Sequence, residues 1–468
     1  MQAAKERPLV CVQGLGFVGT AMAVAVASAR NEQGEALYSV VGIDLPNPLG
    51  THRVQSINDS TFPFETTDEK LKTNLERSVK EGHLSASFDE SHYERADIII
   101  VDIPLDLYLE DDTDTIDVNF GPFRGAIRTL GQKMKPDCLV IVETTVPPGT
   151  CEHVVLPILK ECFTQRGLDP SEIRLAHSYE RVMPGRDYLD SIINFWRVFS
   201  GIDERSASLC EDFLKDIINT EEYPLTRLSK TVASETAKVL ENSYRATTIA
   251  FMEEWGRFAE EVGFDLFQVI RAIRMRPTHS NIRQPGFGVG GYCLTKDPLF
   301  AQWSSQNFFD KPLDFPFCMQ AVKKNKAMPI VTLDAVKTLL DAPLQGKKIL
   351  LLGVSYRQDV GDTRYSPSGT FLTAAQKEGA NVICHDPLVD LWEEFDIHVE
   401  SELPSVDDVD IIVLAVPHQE YKTLDLVQWL SDKKLPVIDA NCVLSDEQRL
   451  AYIAKGGTLF SIGRGAQL

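Results

Sequence analysis

The tightest constraint on what this chain folds into lies near its N-terminus, where the apolar run Leu9–Gln13 (LVCVQ) gives way at once to Gly14-Leu15-Gly16-Phe17-Val18-Gly19. An Ala/Val-rich segment follows from residue 20 to about 30, so the order is strand, glycine turn, helix. The spacing is that of a dinucleotide-binding turn. The first glycine makes the bend, the second lets the backbone come up to a pyrophosphate, and the third lets helix and strand pack closely. A second strand over residues 38–43 ends in Asp44, 25 residues past Gly19, where a carboxylate would accept the adenosine ribose hydroxyls. Leu45 and Pro46 come next, with no adjacent Arg to hold a 2′-phosphate, which favours NAD over NADP. A purely structural turn beside a solvated aspartate is the competing explanation, and the context further along the chain separates the two.

That context is alternation. After a loop containing Arg53, Asn58 and Pro63 and a helix over 68–82, a strand at 97–103 (DIIIVDI) ends at Pro104. Another, at 138–143, runs into Thr144-Thr145-Val146-Pro147-Pro148-Gly149-Thr150. Short strands at 173–177 and 197–200 bracket Tyr179-Glu180-Arg181-Val182-Met183-Pro184-Gly185-Arg186, a carboxylate among cations that would ordinarily be a salt-bridged surface turn. Such βα alternation predicts a doubly wound parallel sheet with ligands at the carboxyl ends of its strands.

From residue 229 to about 262 the period changes. Val232, Ala233, Ala237, Leu240, Tyr244, Thr248, Phe251, Trp255 and Phe258 recur at three- and four-residue steps, which predicts one long helix. Lys238 and Asn242, four apart, share a face of it. A helix over 266–275 precedes Pro285-Gly286-Phe287-Gly288-Val289-Gly290-Gly291-Tyr292-Cys293-Leu294-Thr295-Lys296-Asp297-Pro298. Its glycines permit close backbone approach, and Lys296 and Asp297 could tune a thiolate at Cys293 or hold a water. Read alone, the same stretch also fits a buried, inert cysteine in a glycine turn.

A helix ending near 340 leads to a second α/β unit: a strand at 347–352, then Gly353-Val354-Ser355-Tyr356-Arg357, then Gln358-Asp359-Val360-Gly361-Asp362-Thr363-Arg364 and a helix over 368–379. Strands follow at 381–384, 410–416 and 437–439. The expected architecture is α/β, two Rossmann-like doubly wound domains joined by a long central helix. The expected segments are 1–225 for NAD, 226–330 for the helical part with the cysteine loop, and 331–468 for a second nucleotide.

Composition limits the partners. At 468 residues the chain exceeds what one core holds. A net charge of −21 without any Lys/Arg run argues against nucleic acid, although local cations and helix N-termini suffice for a diphosphate. Nine scattered cysteines without CxxC spacing fit a reducing compartment and neither a disulfide framework nor a metal site. No apolar run approaches the roughly 20 residues of a membrane span, and residues 1–8 are polar, so the expectation is a cytoplasmic protein with no membrane partner.

Taken in order, GLGFVG with Asp44, VDIPLD, ETTVPPGT, ERVMPG, AKVLENSYR, GVGGYCLTKDP and GVSYRQDVGDTRYSP resemble the motifs of the UDP-glucose/GDP-mannose dehydrogenases, and they do so over nearly the whole chain. The resemblance implies an NAD-dependent enzyme that oxidises the C6 alcohol of a UDP-sugar twice, to the carboxylate, and that assembles as a homodimer or higher homo-oligomer. It implies that Cys293 is the nucleophile, that Lys238 and Asn242 stabilise oxyanions or hold water, that Asp297 assists proton transfer, that Glu180 serves the hydrolysis, and that Thr145 lies between nicotinamide and sugar. NAD would be met by Gly14, Gly16, Phe17, Val18, Gly19, Asp44, Arg53, Val101, Pro104, Thr145 and Arg364. The sugar nucleotide would be met by Glu180, Arg181, Val182, Lys238, Asn242, Phe287, Gly288 and Gly290, with Tyr356 and Arg357 at the UDP end.

Elementary chemistry agrees with those roles. Hydride loss from an alcohol needs a base and a stabiliser of alkoxide charge, and a lysine and an amide on one helix face supply both. A thiolate would hold the aldehyde as a thiohemiacetal, then as a thioester open to water. Three features depart from the family pattern: Tyr179 stands where a proline precedes the loop glutamate, Ile103-Pro104 replaces Thr-Pro, and Asp439-Ala440-Asn441-Cys442 lacks an arginine. ERVMPG and Gln284-Pro285-Gly286 resemble the branch acting on UDP-N-acetylhexosamines such as UDP-N-acetylglucosamine or UDP-N-acetylmannosamine, whereas Lys296-Asp297 resembles the UDP-glucose branch. Two rivals stay open at this point: a nucleotide-binding protein without chemistry, and a dehydrogenase that performs a single oxidation.

Overall fold

A computed structural model describes residues 7–110, 113–182 and 185–465. Met183 and Pro184 of the ERVMPG loop, and residues 1–6 of the polar N-terminus, lie outside it. The chain divides into two compact units, residues 1–241 with 299–314, and residues 242–298 with 315–468.

Among the described residues the first unit is built on ten strands: β1 (Leu9–Gln13), β2 (Ser39–Ile43), β3 (Leu84–Ser87), β4 (Ile98–Val101), β5 (Asp106–Glu110), β6 (Thr115–Asn119), β7 (Leu139–Val142), β8 (Arg174–His177), β9 (Val198–Gly201) and β10 (Thr226–Arg227). Eight form one sheet in the order β10-β9-β8-β7-β4-β1-β2-β3, and β5 and β6 pair as a separate antiparallel ribbon. Strands β1, β4 and β7 are nearly continuous apolar runs because both faces are covered. Val10 and Val12 enter one hydrophobic core while Cys11 between them enters another. The expected parallel sheet is found with one exception: β8 and β9 run antiparallel, His177 opposite Ser200.

Two local features differ from expectation. The first helix starts at Phe17 and runs to Ser28, so Gly19 lies in its first turn. Residues read as a loop around Arg53 instead form the helix Pro48–Asn58. Asn47 caps it by accepting from the Gly50 N–H at 2.8 Å, and proline occupies its first turn.

A single helix, Thr231–Val262, follows as the spacing predicts. In the second unit, β11 (Lys348–Leu352), β12 (Asn381–His385), β15 (Ile411–Leu414), β16 (Val437–Asp439) and β17 (Leu459–Ser461) make an all-parallel sheet in the order β12-β11-β15-β16-β17. β13 (Leu391–Trp392) and β14 (Ile397–His398) form a small antiparallel pair. Alternate residues of β11 again enter different cores, Ile349 and Leu351 on one face, Leu350 and Leu352 on the other. Among the described residues, no helix is long and apolar enough to cross a membrane.

Candidate active site

In the first unit the carboxyl end of β1 forms the glycine turn. Gly14 has φ +95°, open to glycine without strain, and its N–H donates to Ile43 O at 2.8 Å. A Cβ on Gly19 would lie 1.9 Å from Gly14 O, so the turn and the helix touch there. A Cβ on Gly16 would meet nothing within 4 Å. The N-terminus of the Phe17–Ser28 helix has no side-chain cap and no acidic residue in its first turn. Open space at Gly16 and a helix N-terminus without a capping side chain together fit a dinucleotide's pyrophosphate. Asp44 lies at the end of β2 beside them, its Oδ2 accepting from Leu15 N at 3.3 Å and from Arg53 Nη1 at 3.2 Å. No arginine adjoins Asp44 in sequence, but helix Pro48–Asn58 brings Arg53, expected among the NAD contacts, back to it from nine residues on.

The neighbouring strand ends carry a charged cluster that the sequence did not flag. Val101 and Val142 pair across β4 and β7, which sets Asp102 and Glu143, the residue after each strand, side by side. Burial, then the charge of Glu143 and that of Glu180, pushes Asp102 well above the usual carboxylate range. Glu143 is also raised, by burial, although Arg197 Nη1 donates to its Oε1 at 2.7 Å. Thr144 Oγ1 donates to Val101 O and Ile103 O at 3.1 and 2.9 Å, tying the loop before Thr145 to the end of β4. Thr145 is half-buried and Pro104 exposed. Glu235, on the long helix, accepts from the backbone N–H groups of Gly149 and Cys151, and burial lifts its pKa to about 7.

Glu180 and Lys238 meet in this unit. Lys238 Nζ donates to Glu180 O at 2.9 Å and stands 3.4 Å from its Oε1, while Val182 N donates to Glu180 Oε2. Arg181 is engaged by protein groups: Trp196 O at 3.0 Å, Tyr179 Oη at 3.2 Å and Glu241 Oε2 at 3.1 Å.

In the second unit, Asp297 is fully buried between two donors, Asn242 Nδ2 at 2.7 Å and Lys296 Nζ at 2.8 Å. Lys296 also lies over the Tyr292 ring, 4.3 Å from its centre. Asp297 N donates to Cys293 O at 2.9 Å, so the acid and the cysteine share one turn of chain. Cys293 is half-buried, and its thiol is near enough to Tyr356 and Arg364 to act on the charge of both. The close approach that the glycines permit is made here by protein. A Cβ on Gly290 would come within 2.7 Å of Tyr365 O and Pro367, and one on Gly291 within 2.8 Å of the Tyr356 ring.

A cavity of about 290 Å³ opens at the carboxyl end of β11, lined among others by Phe287, Gly288, Ser355, Tyr356, Arg357 and Asn441. Arg364 lies outside that lining, its guanidinium on Asp362 at 2.7 Å. Ser355 and Asn441 were not anticipated. Position alone could have found them, since both follow strand ends of the second sheet. Among the described residues, no group of three or more His, Cys, Asp or Glu is placed to hold a metal.

Comparison with known proteins agrees with this layout. Residues 8–218 match the NAD binding domain of the UDP-glucose/GDP-mannose dehydrogenase family, residues 232–327 its central domain and residues 350–446 its UDP binding domain. The chain is 29% identical over 416 residues to a UDP-N-acetyl-D-mannosamine dehydrogenase of Methanocaldococcus jannaschii, covering 89% of this chain and 87% of that one. Its fold matches the structure of a UDP-D-ManNAc dehydrogenase from Pyrococcus horikoshii with TM-score 0.81 at 25% identity, over 97% of this chain and 99% of the other. An NDP-N-acetyl-D-galactosaminuronic acid dehydrogenase from Methanosarcina mazei matches with TM-score 0.79 at 26% identity, over 98% and 96%. With all three domains matched in order along the chain, the protein belongs to the UDP-glucose/GDP-mannose dehydrogenase family and is a dehydrogenase of nucleotide sugars.

Proposed function

We propose that this chain oxidises the C6 alcohol of a UDP-N-acetylhexosamine twice, to the uronate, with NAD as acceptor and Cys293 as the covalent carrier. The observation that carries this reading is the buried Asn242–Asp297–Lys296 bridge in the same turn as Cys293. Burying a carboxylate costs stability even beside an amide and an ammonium, and buried groups with such specific partners cluster at functional sites. Two NAD, bound in succession, would each take up one hydride. Gly14, Gly16, Phe17, Val18 and Gly19 hold the NAD pyrophosphate, Asp44 with Arg53 its adenosine ribose, and Val101, Pro104, Thr145 and Arg364 its remaining contacts. Lys238, anchored by Glu180, supplies a cation for alkoxide charge.

The aldehyde carbon is held on the Cys293 sulfur as a thiohemiacetal, its oxygen taking a proton, and after the second hydride loss as a thioester. Water then adds at that carbon, the carbon–sulfur bond breaks, and the carboxylate leaves as the thiol regains its proton. Asp297 and Glu180 handle those protons. Phe287, Gly288, Gly290, Tyr356 and Arg357 receive the sugar nucleotide, and the domain matches support segments 1–225, 226–330 and 331–468. The exposed stripe Tyr244, Phe251, Trp255, Phe258 and Val262 on the long helix supports a homodimer.

The N-acetylhexosamine assignment is supported by the names of the relatives at 25 to 29% identity. The test is absorbance at 340 nm with NAD and pure UDP-GlcNAc, UDP-ManNAc, UDP-GalNAc and UDP-glucose. Two NADH per sugar are expected from one of the N-acetylated substrates. A preference for UDP-glucose would replace the sugar, one NADH per sugar would end the double oxidation, and none with any sugar would favour a binding protein. Cys293→Ser should lower kcat at least ~100-fold while still forming some aldehyde; undiminished turnover would remove Cys293 from the mechanism.

A further inference from the structure

His418, just past β15, is 1% exposed and is hydrogen-bonded on both ring nitrogens. Its Nδ1 accepts from the backbone N–H of Asp359 at 3.0 Å. A nitrogen that accepts carries no proton, so the ring proton is on Nε2. That N–H faces two acceptors, Asp386 Oδ2 at 3.2 Å and Ser355 Oγ at 3.0 Å. Each of these is itself tied to the loop after β11. Asp386 Oδ2 accepts from Val354 N at 2.8 Å and Ser355 N at 3.0 Å, and Ser355 Oγ donates to Arg357 O at 3.1 Å. One imidazole thus governs the backbone of Val354, Ser355, Arg357 and Asp359, while Tyr356, Arg357 and Gln358 of the same loop line the 290 Å³ cavity. Asp359 closes the loop in the left-handed region at φ +57°, and its Oδ1 accepts from Gln419 N at 3.0 Å. A loop with such a residue and without regular structure needs outside support to keep one shape.

We propose that His418 is a positioning residue for the substrate's nucleotide end, acting through the loop 354–359 that it holds in a receptive form. This rests on reading the cavity as the UDP site. The 468-residue chain is tested with UDP and with NAD by calorimetry, and by amide hydrogen exchange over residues 354–360. His418→Ala should weaken UDP at least ~10-fold, leave NAD within ~2-fold, and speed exchange of that loop at least ~10-fold. His418→Gln, which keeps a donor toward Asp386 and Ser355, should recover most of the UDP affinity. Unchanged UDP binding and unchanged exchange in His418→Ala would overturn the proposal. So would UDP and NAD weakening together with a collapsed melting temperature, provided that His418→Gln folds yet shows no recovery. Should the wild-type protein bind NAD and not UDP, the reading of the cavity falls, while the exchange measurement still decides whether His418 holds the loop.

Discussion

The first strand of each large sheet ends in the same device, and the two copies have diverged in what they do with it. Gly14 at φ +95° donates to Ile43 O at 2.8 Å, and Gly353 at φ +102° donates to His385 O at the same distance. Each second strand is followed at once by an aspartate, Asp44 or Asp386, that accepts from the turn's backbone. Asp44 is partly open and keeps only a light hold, 3.3 Å to Leu15 N, with Arg53 beside it. Asp386 has no exposed surface and accepts from Val354, Ser355, Leu388 and His418. In the first sheet the helix begins directly after the turn, whereas in the second it waits until Pro367. The acid after β2 stays partly open, whereas the acid after β12 has become scaffold for the loop that lines the cavity.

Mutation of the two acids should break the symmetry most strongly. Asp386→Ala strands several buried donors and should cost about 3 to 5 kcal/mol in urea unfolding, against under about 1 kcal/mol for Asp44→Ala. Equal losses would erase the distinction drawn between them. Gly16→Val should weaken NAD at least ~100-fold, about 2.7 kcal/mol, with the melting temperature nearly unchanged because its Cβ enters open space; retained NAD affinity would remove the pyrophosphate from that turn.

A smaller effect separates the sheets by pH. Asp102 and Glu143 have folded-state pKa values above those of the unfolded chain, so the stability they confer is complete below the ordinary carboxyl value and declines as pH rises toward the folded values. Each pH unit in that window should cost ~1.4 kcal/mol per retained proton. Glu235, raised to about 7, adds a decline of the same sign up to neutrality. Asp386 is held below the usual range: although burial alone would raise it, the His418 and backbone hydrogen bonds outweigh that, so its contribution is lost only in acid. Asp102→Asn, which removes one of the two facing carboxyls, should flatten the alkaline decline in melting temperature, and an unchanged slope would take Asp102 out of it. Smallest of all, Arg53→Gln should change stability by at most about 1 kcal/mol, as for a part-exposed pair, and be read as a modest shift in NAD against NADP preference.

Much of the fold was legible because period and punctuation agree in it: apolar runs ending at glycine, and a three-and-four rhythm from Val232 to Phe258. What escaped was of two kinds. The helix Pro48–Asn58 is short and mostly polar, and its signal was the cap Asn47 with proline after it rather than any periodicity. The direction of β9 is set by how the chain returns, which local residues do not encode. At the site, residues with recognisable chemistry could be named, among them Glu180 with Lys238 and Asn242 with Asp297, both of which are in contact. Asp102, Glu143, His418 and Asp386 could not, because an acid pair across two parallel strands, or a histidine 32 residues from its aspartate, has no spacing to recognise.

The packing of Gly290 and Gly291 against Tyr356, Tyr365 and Pro367 has a consequence for how such a protein changes its substrate over evolutionary time. If the cavity takes the nucleotide as proposed, the wall of the nucleotide loop is also the wall of the cysteine loop. A change at Tyr356 that suited a different base would press on the backbone two residues before Cys293, and any Cβ added at Gly291 would press back on the ring. Innovation at one end of the substrate is thereby taxed at the other, so new nucleotide preferences should arise through paired substitutions, or through Gln358 and Asn441, which line the cavity without leaning on those glycines.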